Sequence, residues 1–313
     1  MGVGLVLGLG CAASPNVAGE AWGGGTILDV ETRRPVSSSE WLASLGEADV
    51  IYIGEEHHNR EHIKAALRIL QSLVDQGRRP VLGMEMFSWD GQAALDRQVS
   101  RAPPSEDDFL DESKWKQNWG GAFDDYAPLV QFARAHGLRL RAWNAPRPLV
   151  RTIAKEGLAR AMSSNDVRAW GMVENDIVDD DAYRTTIIGQ LKACHGGGGD
   201  EEGYRRMYEA SLFRDEAMAK TIADEYRANA TAGVKNQNGS PIVSYTGSGH
   251  IQYGLPIPQR VSRRLGDGVK QVTVYLASFE PARTEEIAEL MNGRVADFIW
   301  LTAIGAHGPP RRC

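Results

Sequence analysis

The feature that most constrains this chain is the alternation of short, continuously apolar segments with longer segments that are apolar every third or fourth residue. Residues 48–53 form a β-branched, nearly continuous apolar run that ends at Gly54, as a strand buried on both faces does. Apolar residues then recur at helical spacing over 63–74, and residues 80–86 read as another buried strand. This order predicts a β-α-β unit with two parallel strands.

The same alternation continues along most of the chain. Further strands are predicted over 138–143, 241–245, 272–276 and 295–301, with a hairpin over 26–35 and helices near 126–133, 146–157 and 258–265. Residues 163–230 contain helical patterns only, over 167–178, 182–193 and 201–226. The fold class is therefore predicted as α/β, with a mostly parallel sheet flanked by helices and a helical insertion subdomain.

The amino terminus predicts a lipid anchor. Cys11 follows an apolar run interleaved with glycines and is followed by small residues, an order that resembles a bacterial lipoprotein signal. We therefore divide the chain into a signal and tether (1–25), an α/β domain (26–305) with its helical insertion (about 163–230), and a tail (306–313). The expected location is the cell envelope, on the periplasmic side, with the lipid holding the protein to a membrane.

Charge and cysteine content exclude two other classes of protein. A formal net charge of -6 and a pI near 5.7 argue against a protein that binds nucleic acid through a basic face. Arg260, Arg263 and Arg264 are interpreted as the solvated side of one helix. Three cysteines are too few for a disulfide framework in 313 residues, and Cys194 is expected to lie in a glycine-rich surface loop without a functional role.

Four polar side chains are predicted to meet at one edge of the sheet. Glu55 and His57 follow the first buried strand, Glu85 interrupts the second, and His250 follows a late strand through a glycine-rich turn. Binding crevices of open α/β sheets lie at these carboxyl ends. Glu55 and His57 would project to the same side, because side chains alternate along extended backbone.

This group of four supports three kinds of chemistry. Histidine nitrogens and carboxylate oxygens are the usual ligands of a catalytic divalent metal such as zinc or manganese. The same residues could perform metal-free acid-base catalysis with pKa values moved by burial. They could also form a structural network of Glu-His hydrogen bonds that closes the end of the sheet. The residues alone leave all three open.

The order of several motifs resembles the ChaN-like haem-binding lipoprotein family. The resemblance covers about 29–302 and lies within a wider superfamily that includes erythromycin-esterase-like and Gly-x-x-His metal-dependent protease members. Its motifs are Gly54-Glu55-Glu56-His57, Glu85-Met86-Phe87, Trp115 and Trp119 ahead of Tyr126, Asn144-Ala145-Pro146-Arg147, Asp215 with Met218-Ala219, and Gly247-Ser248-Gly249-His250.

The resemblance implies a lipoprotein of haem or iron acquisition that binds rather than transforms its ligand. It implies a possible homodimer that encloses haem and a tyrosine that ligates the iron, which suits a hard anionic oxygen. Tyr204 and Tyr208, one turn apart on a predicted helix, are the candidate ligands. The alternative is a hydrolase, with or without metal, that uses Glu55, His57, Glu85 and His250, so whether the chain is an enzyme stays open.

Overall fold

The computed structural model describes residues 22–194, 198–231, 240–305 and 308. The strands are β1 (Ile27–Asp29), β2 (Arg34–Val36), β3 (Val50–Glu55), β4 (Val81–Ser88), β5 (Arg139–Asn144), β6 (Ile242–Gly247), β7 (Gln271–Ser278) and β8 (Phe298–Thr302). The helices are α1 (Ser38–Ser44), α2 (Arg60–Asp75), α3 (Gln92–Gln98), α4 (Glu106–Glu112), α5 (Trp115–Asn118), α6 (Ala127–Ala135), α7 (Arg147–Glu156), α8 (Leu158–Met162), α9 (Asn165–Ala169), α10 (Asp181–Cys194), α11 (Glu201–Thr231), α12 (Ile257–Leu265) and α13 (Thr284–Asn292).

The eight strands form one sheet in the order β2-β1-β8-β7-β3-β6-β4-β5. Strands β3 to β8 pair in parallel, and the hairpin β1–β2 adds two antiparallel strands beside β8. The central strands β3, β4 and β6 are buried along their whole length, as their continuous apolar sequences predicted. The predicted α/β fold class is therefore confirmed.

The register of the central strands brings three strand ends together. Strand β6 lies between β3 and β4, with Glu55 of β3 opposite Gly247 of β6 and Met84 of β4 opposite Tyr245 of β6. Glu55 and Glu85 therefore flank the end of β6 from its two sides. This is the carboxyl end of the parallel strands, where α/β folds commonly bind ligands.

Helices pack on both faces of the sheet. One core lies between the sheet and α2 and α6, and includes Leu70 and Leu129. Another lies under α11 and α12, where Met218 and Val261 pack on Trp143. Between β5 and β6 the described residues contain helices and no strand, and no described helix is both long and apolar enough to cross a lipid bilayer.

Two local expectations are wrong. The predicted helix over 167–178 is broken into α9 and a single 3-10 turn at Glu174–Asp176, with Gly171 at a positive φ of 80° between them. Arg260 does not lie on a solvated face. It is fully buried and its Nε lies 3.1 Å from Oε1 of Glu216, which also pairs with Arg263 and Arg264.

Candidate functional site

The end of β3 carries a Glu-His pair that is buried at one end and open at the other. Oε1 of Glu55 lies 2.7 Å from Nδ1 of His57, while the phenols of Tyr126 and Tyr245 donate hydrogen bonds of 3.0 and 2.8 Å to Oε1 and Oε2. The Glu55 side chain is fully buried, whereas that of His57 is 44% exposed. Both oxygens of Glu55 are thus occupied, and the imidazole is the exposed end of the pair.

The backbone turns immediately after Glu55, yet the side chain of His57 lies on the same side of the sheet as that of Glu55. Strand β3 ends at Glu55, and His58 adopts a positive φ of 63°. Glu56 and His58 have different partners: Glu56 accepts a hydrogen bond of 2.6 Å from Ser278, and Nδ1 of His58 lies 3.0 Å from Asp125. The predicted separation of alternate side chains is therefore confirmed.

The end of β4 carries a second, buried ion-pair network. One oxygen of Glu85 accepts a 2.7 Å hydrogen bond from the backbone nitrogen of Gly247, and the other pairs with Arg214 and lies 3.2 Å from Nε2 of His250. The second imidazole nitrogen of His250, Nδ1, lies 2.5 Å from Oδ1 of Asp215. His250 is therefore held between two carboxylates.

Asp215 is itself held in place by Tyr183, on which Arg260 packs. The phenol of Tyr183 donates a 2.5 Å hydrogen bond to Oδ2 of Asp215, and the guanidinium of Arg260 stacks 3.9 Å from the centre of the Tyr183 ring. Arg214 and Asp215 both come from the long helix α11. The helical insertion therefore supplies two of the charges at the sheet edge.

The two networks approach each other at Gly247. A Cβ built at this position would lie 2.8 Å from Cε1 of His57 and 3.4 Å from Oε2 of Glu85. A side chain would therefore displace the imidazole, so glycine is what allows the two networks to approach. The four residues predicted from the sequence, Glu55, His57, Glu85 and His250, do converge at one edge.

The charge states of the two networks differ. Burial alone would raise the pKa of Glu85 and lower that of His250, but the attraction between them and the charges of Arg214 and Asp215 outweigh it. The pKa of Glu85 falls well below its usual value and that of His250 rises to about 9. Glu85 and His250 are thus an ion pair at neutral pH.

Glu55 and His57 compete for a proton more evenly than Glu85 and His250 do. Burial raises the pKa of Glu55 more than its hydrogen bonds lower it. Burial lowers the pKa of His57, but the hydrogen bond to Glu55 and the charge of Glu85 raise it above the usual value. Both groups therefore hold a proton more readily than in water, which suits proton exchange between them.

Metal binding by the four predicted residues is not supported. Within residues 22–194, 198–231, 240–305 and 308, no group of three or more His, Cys, Asp and Glu side chains is arranged to hold a metal ion. The physical reason lies in their partners: Glu55, Glu85 and both nitrogens of His250 are already engaged by protein groups. A metal would have to replace these contacts.

A cavity of about 990 Å³ opens beside this edge. His57, Gly247 and His250 line it, together with Tyr253, Tyr275 and Leu290. Its size is at the upper end for small-molecule sites. Cys194, for which no role was expected, also lines the cavity and is disulfide-bonded.

The candidate haem ligands Tyr204 and Tyr208 are buried. The phenol of Tyr208 donates a hydrogen bond to Asp179, and its ring packs 5.8 Å from that of Tyr183. The hydroxyl of Tyr204 accepts a 3.3 Å hydrogen bond from the backbone nitrogen of Gly199. Either phenol would have to leave these contacts to reach a ligand.

Tyr253, which the sequence analysis did not single out, is exposed instead. It is 43% exposed, lines the cavity and has a positive φ of 58°. A non-glycine residue in this conformation is uncommon and such strain is frequent at functional sites. No periodicity marks Tyr253, because it lies in an irregular turn.

Comparison with known proteins places this fold and site in a family. Residues 41–261 match the family model described as haem-binding uptake, Tiki superfamily, ChaN. The chain belongs to this family. The resemblance inferred from the motif order is thereby confirmed, and the ChaN match spans β3, β4, β6 and all four residues at the sheet edge.

Individual relatives of this ChaN family member are distant. A solved structure described as cofacial heme binding to ChaN of Campylobacter jejuni is 17% identical, with a TM-score of 0.64 over 88% of this chain and 95% of that chain. The erythromycin esterase EreC is 14% identical, with a TM-score of 0.46 over 82% of this chain and 76% of that chain.

One curated relative comes from a plant. Protein RETICULATA-RELATED 5, chloroplastic, of Arabidopsis thaliana is 23% identical in a match of 272 aligned positions that covers 82% of this chain. The match covers 34% of the plant protein, so the chain spans about a third of the length of that relative.

Proposed function

We propose that this ChaN family member binds haem in the cavity at the carboxyl end of the sheet, as part of haem or iron acquisition. The observation that carries the proposal is the family match over 41–261, which includes the residues of this edge. The solved ChaN of Campylobacter jejuni, whose description names cofacial heme binding, shares the fold over 88% of the chain.

The residues present fit a haem. The cavity of about 990 Å³ is at the upper end of the range for small-molecule sites, and its lining includes the apolar side chains of Ala277 and Leu290. Ferric haem supplies an iron that accepts a phenolate oxygen as a ligand. We assign Tyr253 as the residue that would provide it, because its phenol is exposed at the cavity while Tyr204 and Tyr208 are buried.

The decisive experiment is titration of the purified protein with hemin, followed in the visible spectrum. We expect a saturable Soret band for the wild-type protein and for Tyr204→Phe and Tyr208→Phe, and altered bands with weaker binding for Tyr253→Phe. Absence of a Soret band in the wild-type protein would refute haem binding. If the bands were normal in Tyr253→Phe and altered in Tyr208→Phe, the iron ligand would be Tyr208, as the sequence first suggested, and not Tyr253.

Membrane attachment through Cys11 remains part of the proposal. Cys11 lies outside the described residues, and its support is the lipoprotein-like order of the sequence around it. Expression of the full chain in a bacterium with labelled palmitate should give a labelled protein that fractionates with membranes on the periplasmic side. Cys11→Ser should abolish the label, and persistence of the label would rule out this anchor.

A second candidate function is acid-base hydrolysis, favoured by the geometry of His57. Its Nδ1 is bound to Glu55, while Nε2 makes no hydrogen bond with the described residues and lies beside Gly247 at the cavity. This orientation is the one that a general base requires. Hydrolysis of p-nitrophenyl acetate should fall in His57→Gln and persist in His136→Gln. Equal rates in both variants would dismiss catalysis by this pair.

A further inference from the structure

A second cavity lies on the other side of Tyr253. It has a volume of about 550 Å³ and lies between α12 and the segment after α13. Gln259, Gln271 and Thr273 line it, together with Arg294. Tyr253 lines both this cavity and the one at the sheet edge, so the two share a wall.

Arg294 is the cation of this second cavity. It is exposed, and its guanidinium makes no hydrogen bond or ion pair with any residue in the described ranges. Its φ of 52° is positive, like that of Tyr253, and the backbone nitrogen of Tyr253 donates a 2.8 Å hydrogen bond to the carbonyl of Val295. Tyr253 is thus bonded to the residue that follows Arg294, and both positive-φ residues line this cavity.

The first cavity offers no such cation. Its arginine, Arg283, is paired with Glu286 at 2.7 Å and also donates to the carbonyl oxygen of Ser278. His250 is held by Glu85 and Asp215. Glu56, Glu286 and Glu289 add carboxylates to the lining. A ligand carboxylate would meet negative charge there.

We propose that Arg294 forms a carboxylate-binding subsite that holds the propionates of a porphyrin whose ring occupies the neighbouring cavity. The inference rests on the proposed haem function. The guanidinium presents a planar array of donors that matches a carboxylate in two parallel hydrogen bonds. Among arginines that line the two cavities, Arg294 is the one without a protein partner in the described part of the chain.

Two acidic residues, Asp297 and Glu31, also line the second cavity, and their charges affect how strongly it would bind a carboxylate. Oδ2 of Asp297 accepts hydrogen bonds of 2.7 and 2.8 Å from the backbone nitrogen and the hydroxyl of Thr273, which disperse its charge. Glu31 is exposed and lacks such contacts with the described residues. Glu31 therefore opposes a bound carboxylate, and its neutralisation should strengthen binding.

The test compares two metal-free probes, protoporphyrin IX and its dimethyl ester, by quenching of tryptophan fluorescence in the full chain. Arg294→Gln should weaken binding of the free acid by about threefold to fivefold, the range of an exposed ion pair, and leave the ester unchanged. Glu31→Gln should strengthen binding of the free acid. Arg33→Gln, another exposed arginine with a positive φ of 59°, should have no effect.

The outcomes separate this subsite from haem binding itself. Hemin binding by the wild-type protein together with equal free-acid affinities in wild type and Arg294→Gln would overturn the subsite alone. If Arg294→Gln weakened binding of the dimethyl ester as much as binding of the free acid, the subsite would also be overturned. The arginine would then act on the fold rather than on a carboxylate. Failure of hemin and both porphyrins to bind would overturn the subsite and the proposed function together.

Discussion

The imidazole of His250 bridges Glu85 and Asp215, with Nε2 3.2 Å from one carboxylate and Nδ1 2.5 Å from the other. Strand β4 and helix α11 are thereby joined through a residue that follows strand β6. Because all three side chains are buried or nearly so, the bridge is at once part of the candidate site and part of what holds the insertion to the sheet.

Glu85→Gln should lower the free energy of unfolding by about 3 kcal/mol, because it removes a fully buried carboxylate and leaves the partly buried Arg214 and His250 without a full counter-charge. Urea denaturation at pH 7 measures this. Glu202→Gln removes exposed ion pairs with Arg205 and Arg206 and should cost much less, because water screens them. Equal losses in the two variants would contradict a buried ion pair at Glu85.

Stability should fall as the pH rises from neutrality toward 9. The pKa of His250 is raised from 6.5 to about 9, so the protonated imidazole stabilises the fold fully below pH 6.5 and its contribution disappears as the pH passes through 9. The depressed pKa of Glu85 has the opposite effect, with stability lost on acidification below about 4.5. Unfolding free energies of wild type and His250→Gln should therefore converge at high pH. If the unfolding free energies of the two proteins instead changed in parallel from pH 6 to 9.5, His250 would have an ordinary pKa.

Gly247→Ala should move His57 away from Glu55. The added methyl group would lie 2.8 Å from Cε1 and 3.0 Å from Nε2 of His57, and this partly exposed side chain can rotate away. The His57 pKa, read by NMR titration, should then return toward 6.5. At Gly249 a Cβ meets nothing within 4 Å, so Gly249→Ala is the matched control and should leave the titration unchanged.

Gly83→Ala should be more damaging to the fold than to the site. A Cβ at Gly83 would lie 1.8 Å from Cζ2 of the fully buried Trp143, and a rigid indole cannot move aside. Overpacking of this kind costs about 1–3 kcal/mol or more. Thermal unfolding measures the loss. A melting temperature within 1 °C of wild type, on the order of the effect of a neutral substitution, would mean that the β5 strand relaxes freely.

Much of the fold follows from the sequence, because buried parallel strands require continuous apolar runs. β3, β4, β5, β6 and β7 were all predicted within a few residues, and the convergence of Glu55 and Glu85 followed from the strand ends. Helices α3, α4 and α13 were not predicted, since each is short and its packing depends on distant partners.

The parts of the site that escaped prediction come from long-range contacts. Asp215 belongs to one of the motifs named above, but Arg214 and Asp215 lie in a charged stretch of α11 where no spacing distinguishes a side chain that reaches the sheet from one in solvent. Tyr126 and Tyr245 resemble ordinary core aromatics until their phenols are seen on Glu55. Likewise, the sequence around His62 does not show that this side chain is fully buried and that its Nδ1 accepts a hydrogen bond from the backbone of Glu56.

The hairpin beside β8 has a consequence for self-association. The outermost strand, β2, has three residues, and one of them, Pro35, has no amide hydrogen to offer to another strand, while its neighbour Arg34 is charged and exposed. Pairing of β2 with a strand of a second molecule is therefore disfavoured. On this side of the molecule, two copies that meet around a shared ligand would do so through helices and loops, which leaves the strand network of each copy intact.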